Sequence, residues 1–294
     1  MRTRTVSILG GLSLLAVLIA NAPSAQAQSL GWEGPTGVFV TPLAYTAPSP
    51  AKGLGQPVVA FHFLAAGPVI GSYSTVSITE GIAKRIEVGY TGIAHASGDT
   101  TGLSPLWNGG LSVVHGKATI IPENAGKTKW VPAVAVGGII RVNDTNVFDG
   151  TNGQGTTNGD AYIVATKLIP QSKKVPILLS GGLRGTNASL WGLGGNAPDF
   201  AARAFGAVGF AFTGPGKSTI ILASEVAQQP RHINVLGTPS FDIPTSEVYA
   251  VRVVPFAKRK LNLDFGVLQA AGRITPDIDL KARARVAFAL SYGF

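Results

Sequence analysis

The chain has 294 residues, a formal net charge of +9 and no cysteine, and only 13% of its residues are charged. Without cysteine it can form no disulfide, thiolate nucleophile or cysteine-based zinc site, so its stability has to come from backbone pairing and packing. The positive charge favours anionic neighbours such as lipopolysaccharide phosphates or acidic solutes, whereas nucleic acid is not expected because no aromatic-and-basic motif is present.

The first 27 residues have the pattern of a secretory leader. Arg2 and Arg4 precede an apolar stretch over residues 6–20, and Ala25-Gln26-Ala27 is a small-x-small cleavage site. We therefore expect Sec export with cleavage after Ala27. The apolar stretch is shorter than the roughly 20 residues of a spanning helix, and no later window offers 18 unbroken apolar residues. A mature chain of this kind can enter a bilayer only as a β-barrel.

Residues 28–55 form a separate segment before the expected barrel domain at 56–294. It combines an apolar run around Val38-Phe39-Val40 with a linker rich in proline, alanine and glycine over 47–55. Three placements stay open for this segment: a periplasmic extension, an additional strand or a plug in the lumen.

From residue 56 onward, apolar side chains recur at every second position. Leu261, Leu263 and Phe265 alternate with Asn262 and Asp264, a period of two that indicates a strand with a lipid face and a wet face. The same pattern predicts twelve strands, near 58–66, 72–80, 85–96, 109–121, 130–142, 161–169, 175–186, 201–213, 218–228, 248–256, 261–270 and 281–294. We expect an all-β, antiparallel, transmembrane up-and-down barrel, with ten or fourteen strands as the open alternatives.

The connections between these segments alternate in length, which supports the barrel independently. Short ones such as 81–84 and 214–217 belong to a periplasmic rim, and longer ones such as 143–160 and 229–247 belong to the outside. The connection 67–71 is short although it falls on the outer side.

The last nine residues are Val286-Ala-Phe-Ala-Leu-Ser-Tyr-Gly-Phe294, an alternating strand that ends on phenylalanine. This pattern resembles the signal by which bacterial outer-membrane barrels are recognised for assembly. The resemblance implies an outer-membrane location, the barrel assembly machinery and outer-membrane lipid as partners, and Tyr292 and Phe294 as the assembly signal. It identifies no specific family.

Basic residues fall on the wet phase of several strands. The inward set is Arg141, Arg184, Arg203, Arg252, Arg283 and Arg285, with Glu87, Glu225 and Asp264 as the acidic minority. We predict from this excess a narrow pore that favours small anionic solutes, an architecture that resembles the small 12-stranded porins for acidic sugars. In the alternative, the arginines pair with the acids and close the lumen.

Two further functions stay open. Trp107, Phe148 and Trp191 lie on the predicted long loops and could give a structural barrel a surface for binding a partner. His95 and Ser97 are spaced as in outer-membrane lipid hydrolases, which they resemble, although those enzymes follow the serine with asparagine and this chain has Gly98. We expect a non-enzymatic protein with no catalytic residues, no metal site and no cofactor.

Overall fold

The computed structural model describes residues 29–100, 107, 109–143, 157–170, 175–231, 240, 242–255, 260–273 and 279–294. Its strands are β1 Val58–Gly67, β2 Gly71–Ile82, β3 Ile86–Ala96, β4 Gly110–Ile121, β5 Ala133–Asn143, β6 Thr157–Ile169, β7 Ile177–Ala188, β8 Asn196–Thr213, β9 Thr219–Ala227, β10 Ser246–Val254, β11 Leu261–Gln269, β12 Ala271–Arg273, β13 Asp279–Ala282 and β14 Arg285–Gly293.

Twelve of these strands close into one antiparallel barrel. Each barrel strand pairs with the barrel strands before and after it in the chain, and β14 closes against β1, with Val58 opposite Gly293 and Leu64 opposite Ala287. The predicted twelve-stranded antiparallel barrel is confirmed. We call the rim with Val58 and Gly293 the terminal rim and the opposite one the loop rim, because the longer connections lie there.

The predicted last strand is wrong at its beginning. The alternation suggested one strand over 281–294, but Lys281 belongs to β13, which pairs with β12 in a small sheet of its own, and the barrel strand begins at Arg285. Positive φ angles of 50° at Lys281 and 51° at Ala284 interrupt the extended backbone between β13 and β14. Arg283 therefore lies outside the barrel wall and is exposed, and it does not face the lumen as predicted.

The polarity of the barrel is the reverse of that in a soluble protein. Outward side chains such as Val76, Ile140 and Phe265 are apolar and exposed, while inward ones such as Glu87 and Arg141 are polar and fully buried. An apolar belt around a polar interior lets the wall face hydrocarbon, and barrel closure gives each of the twelve strands a partner on both sides. The chain thus has the fold of a bacterial outer-membrane β-barrel. In the described ranges, no helix is long and apolar enough to cross a membrane.

Inward glycines make room for rings from neighbouring strands. A Cβ built at Gly137 would lie 2.4 Å from the Tyr162 ring, and one at Gly182 would lie 2.4 Å from Phe205. Tyr162 and Phe205 then meet edge to face with their ring centroids 6.5 Å apart. These inward glycines therefore accommodate large side chains across the strand pair.

Candidate functional site: the plugged lumen

Residues 29–47, which we call the plug, lie inside the barrel, and nearly all of them are buried. Isolated bridges from Leu30 to Thr36 and from Gly37 to Pro42 fold the plug into two tight turns. Gly34 has a φ of 99°, and a Cβ there would lie 2.6 Å from both Thr91 Oγ1 and His115 Cε1. Only glycine fits both this backbone and this space.

Glu225 on β9 binds the middle of the plug. Its carboxylate accepts hydrogen bonds from the backbone nitrogens of Phe39 at 2.7 Å, Val40 at 3.1 Å and Thr41 at 2.7 Å. The Thr41 hydroxyl adds a fourth donor at 2.5 Å. Three successive amides directed at one carboxylate form an anion-binding turn, here occupied by a wall residue.

Glu87 on β3 and Lys117 on β4 bind the plug as an ion pair. The Lys117 ammonium lies 2.9 Å from the Glu87 carboxylate, and both side chains are fully buried. Glu87 also accepts the Thr36 amide and hydroxyl and the Ala47 amide, at 2.9, 2.6 and 2.8 Å. Lys117 donates to the carbonyls of Thr36 and Leu43, at 2.9 and 2.8 Å. The pair is thus hydrogen-bonded on all sides, which a buried pair requires.

Arg141 on β5 joins the plug to the wall near the loop rim. Its Nε and Nη2 donate to the two oxygens of Glu33, and its Nη2 also lies 2.7 Å from Asp160 on β6. The Arg141 side chain is completely buried between the two carboxylates. A planar guanidinium suits such a two-sided bridge because it presents donors along two edges.

Arg252 on β10 forms a third charged contact. Its guanidinium pairs with Asp264 on β11 at 2.6 Å and donates to the Val38 carbonyl at 2.6 Å. Asp264 also accepts a hydrogen bond from the Ser29 hydroxyl at 3.3 Å. The first plug residue, Ser29, and the later Val38 therefore both contact this ion pair.

The plug leaves the lumen at the terminal rim through polar contacts with the wall. The Ala44 amide donates to Thr166 at 2.8 Å, and its carbonyl accepts the Thr119 hydroxyl at 2.7 Å. Tyr45 donates to Glu123 at 2.9 Å. Burial and the adjacent Glu123 carboxylate raise the pKa of the Tyr45 hydroxyl, which therefore keeps the proton it donates.

The six predicted pore-lining arginines take four different positions. Arg141 and Arg252 face the lumen but are bound in ion pairs. Arg184 and Arg203 face inward near the loop rim, where they donate to the carbonyls of Gln228 and Gln229 at 3.1 and 2.9 Å. Arg285 lies at the loop rim, and Arg283 lies outside the wall. Together they line no continuous passage through the described lumen.

Two loop tryptophans that were candidates for an exposed binding surface fold inward instead. Trp107 and Trp191 are both buried at the loop rim and pack above the plug residue Trp32. With Leu190, Leu193 and other apolar side chains they line a cavity of about 30 Å³. The third candidate, Phe148, lies outside the described residues.

His95 and His62 both contact backbone carbonyls within the fold. His95 Nε2 lies 2.6 Å from the Ile70 carbonyl, and its ring stacks on Tyr73 at 4.3 Å. Ser97 follows the end of β3 and is exposed. His62 contacts the Leu30 carbonyl at 3.2 Å. No group of three or more potential metal ligands occurs among the described residues.

Several plug contacts escaped the sequence analysis. Lys117 shares the inward phase of His115 on β4, so the alternation could have revealed it. Glu33 and Thr41 belong to a segment with no strand pattern, and nothing local in the sequence indicates that their partners lie 108 and 184 residues away.

No family model and no curated protein matches the chain. Among solved structures, it is similar to the beta domain of the Bordetella autotransporter Brka, with 12% sequence identity and a TM-score of 0.39. The match covers 83% of this chain and 100% of that one. A similarity at this TM-score assigns no function.

Proposed function

We propose that the protein is exported by the Sec pathway and inserted in the bacterial outer membrane with the terminal rim in the periplasm. The exposed apolar belt supports insertion, and the longer connections on the loop rim support the orientation. Outer-membrane lipid, lipopolysaccharide and the barrel assembly machinery are then its partners.

We further propose that the barrel is a conduit closed at rest by its own plug. The observation that carries this proposal is that residues 29–47 fill the lumen and are bound by Glu87, Lys117, Arg141, Glu225 and Arg252 from five different strands. A barrel that served only as a membrane anchor could fill its lumen with side chains alone, as small barrels do.

The plug is attached so that it could leave without unfolding the wall. Among the described residues, its backbone pairs within itself, and wall side chains supply the contacts described above. The ladder hydrogen bonds that close the barrel involve other residues. Displacing the plug therefore breaks a defined set of polar contacts and leaves the twelve-stranded ladder intact.

With the plug displaced, the lumen would favour anions weakly. The inward acids on the described barrel strands are Glu87, Asp160, Glu225 and Asp264. The inward cations are Lys117, Arg141, Arg184, Arg203, Arg252 and, at the loop rim, Arg285. Removing Glu33 with the plug leaves two more cations than acids on these strands. A small anionic solute is accordingly the proposed cargo, without covalent chemistry or a cofactor.

The test is conductance in planar bilayers. The full chain should be silent, and a variant that lacks residues 29–47 but keeps the linker to β1 should conduct. Heat-modifiable migration on a gel shows that the variant is a folded barrel. Replacing the exposed Lys52 and Lys84 by glutamine is the control, because it changes charge near the terminal rim without touching the plug. A folded variant without conductance would overturn the conduit and favour a closed structural barrel.

A further inference from the structure

The barrel wall is interrupted on one side near the loop rim. β1 extends to Gly67, but its pairing with β14 ends at Leu64 opposite Ala287. On its other side β14 stays paired with β11 as far as Arg285 opposite Leu268. The last residues of β1 and β14 at the loop rim therefore have no ladder partner across this seam, and the Arg285 side chain lies against Gly67 there.

An apolar cavity lies directly behind this interruption. Leu64 and Ala66 of β1, Ala282 of β13 and Arg285 line it from the seam, and Trp32, Trp107 and Trp191 line it from the plug and the loops. An apolar cavity inside a barrel is unusual because lumen surfaces are ordinarily polar. Its volume of about 30 Å³ admits the last few carbons of a chain and not a whole lipid.

Arg285 covers the interruption. Its guanidinium lies against Gly67 across the seam, where a Cβ on the glycine would be 2.7 Å from Arg285 Cζ. Its Nε and Nη2 donate to the Lys281 carbonyl, so the cation stays at the mouth of the cavity.

Positive charge surrounds this mouth at the edge of the apolar belt. Lys281 and Arg283 are exposed beside Arg285, and Asp279 is the one acidic residue between 279 and 294. Val286, the next residue along β14, is 65% exposed and begins the apolar outer face. The basic cluster thus lies where headgroups of the outer leaflet would be, given the membrane location proposed above.

We propose that this seam binds an acyl amphiphile with an anionic head. The end of one acyl chain enters the cavity between β1 and β14, and the head binds Lys281, Arg283 and Arg285. An apolar cavity favours a chain over water, and guanidinium groups favour phosphate or carboxylate over a neutral head. Both outer-leaflet lipid A and a free fatty acid have this chemistry.

Tryptophan quenching tests the site in the full chain in detergent. Trp130, which is 83% exposed, is replaced by phenylalanine, so the three remaining tryptophans all line the cavity. Dodecanoate brominated at its last carbon should quench them at about ten-fold lower concentration than the matching brominated dodecanol, because only the carboxylate binds the cations.

Variants distinguish binding of the probe at this site from its nonspecific partition into the detergent micelle. Replacing Lys281, Arg283 and Arg285 by glutamine should remove the advantage of the carboxylate, whereas the same change at the exposed Lys52, Lys84 and Arg85 near the terminal rim should not. Ala66→Leu or Ala282→Leu should fill the cavity and prevent quenching, with heat-modifiable migration confirming a folded barrel.

Equal quenching by acid and alcohol, or unchanged quenching in folded cavity-filled variants, would overturn the proposal. Native mass spectrometry with hexa-acylated lipid A and with dodecanoate then identifies the source. The site is supported if the protein retains either ligand and the variant with Lys281, Arg283 and Arg285 replaced by glutamine does not. The site is contradicted if the protein retains neither ligand. These measurements do not depend on conductance. The amphiphile site can therefore be contradicted while the plugged conduit is supported, or supported while the conduit is contradicted.

Discussion

Glu225 shows how one wall residue can hold a segment that has no regular structure. A buried carboxylate is strongly disfavoured unless several donors replace its water. Here all four donors come from Phe39, Val40 and Thr41 of the plug. The dependence is mutual, because these plug amides have no ladder partner of their own and would otherwise be buried without an acceptor.

Replacing Glu225 by alanine should therefore release the plug. Each buried donor left without an acceptor costs about 1–3 kcal/mol, so amide exchange at Phe39, Val40 and Thr41 should accelerate by about 100-fold. Glu225→Gln keeps one acceptor oxygen and should have a smaller effect. Hydrogen exchange read by mass spectrometry checks this, with Glu80→Ala on the outer face of β2 as the control. Equal protection in all three variants would mean that Glu225 does not hold the plug.

The Arg141 bridge predicts an asymmetry between its two sides. Arg141→Gln leaves Glu33 buried without its cation and Asp160 with only Arg184, 3.7 Å away, which should lower the free energy of unfolding by about 3–5 kcal/mol. Glu33→Gln leaves Arg141 paired with Asp160 and should cost clearly less. Mild acid should partly restore Arg141→Gln, because protonation removes the uncompensated buried charges. Urea unfolding at two pH values checks both statements, and equal losses in the two variants would contradict the bridge.

Among the elements, the strands were predictable and the breaks between them were not. Alternation over nine or more residues located all twelve barrel strands, since a lipid face and a lumen face constrain every second position in the same way. The same rule failed at Arg283, because the alternation of β14 continues in sequence on the N-terminal side of the turn at Ala284, where the barrel strand has not yet begun. A turn made by non-glycine residues with positive φ leaves no local signal.

The terminal strand should determine assembly more than function. Phe294 is 54% exposed, packs edge to face on Tyr292 at 5.2 Å, and is anchored by its amide to the Pro57 carbonyl at 3.3 Å. Replacing Tyr292 and Phe294 by alanine should leave cleaved protein stranded in the periplasm, because the resemblance makes these rings the assembly signal. Membrane fractionation measures this, and Leu222→Ala on the outer face of β9 is the control. A normal level of heat-modifiable barrel in the outer membrane would argue against the signal.

At the scale of the whole molecule, the lumen is filled through contacts between the plug and residues distributed along the barrel sequence. Residues 29–47 carry no strand or helix pattern, and their partners Glu87, Arg141, Glu225 and Arg252 are 40 to 214 residues away in sequence. The sequence therefore indicated that Arg141, Arg184, Arg203 and Arg252 face inward, was wrong about Arg283, and left a plug as one of three open placements for residues 28–55. In the sequence, the charges of Arg141 and Arg252 suggested an ion-conducting pore. In the structure, these two arginines attach the plug to the wall.

This arrangement predicts that ion selectivity exists only after the plug is removed. In the chain lacking residues 29–47, Glu225→Gln should shift the reversal potential in a salt gradient toward anions, because that carboxylate then faces open water without its donors. Arg252→Gln should shift the potential toward cations, since Asp264 is left unpaired in the lumen. Arg283→Gln should leave it unchanged, because Arg283 lies outside the wall. If Arg283 alters selectivity as strongly as Arg252, ions do not pass through the lumen that the plug occupies.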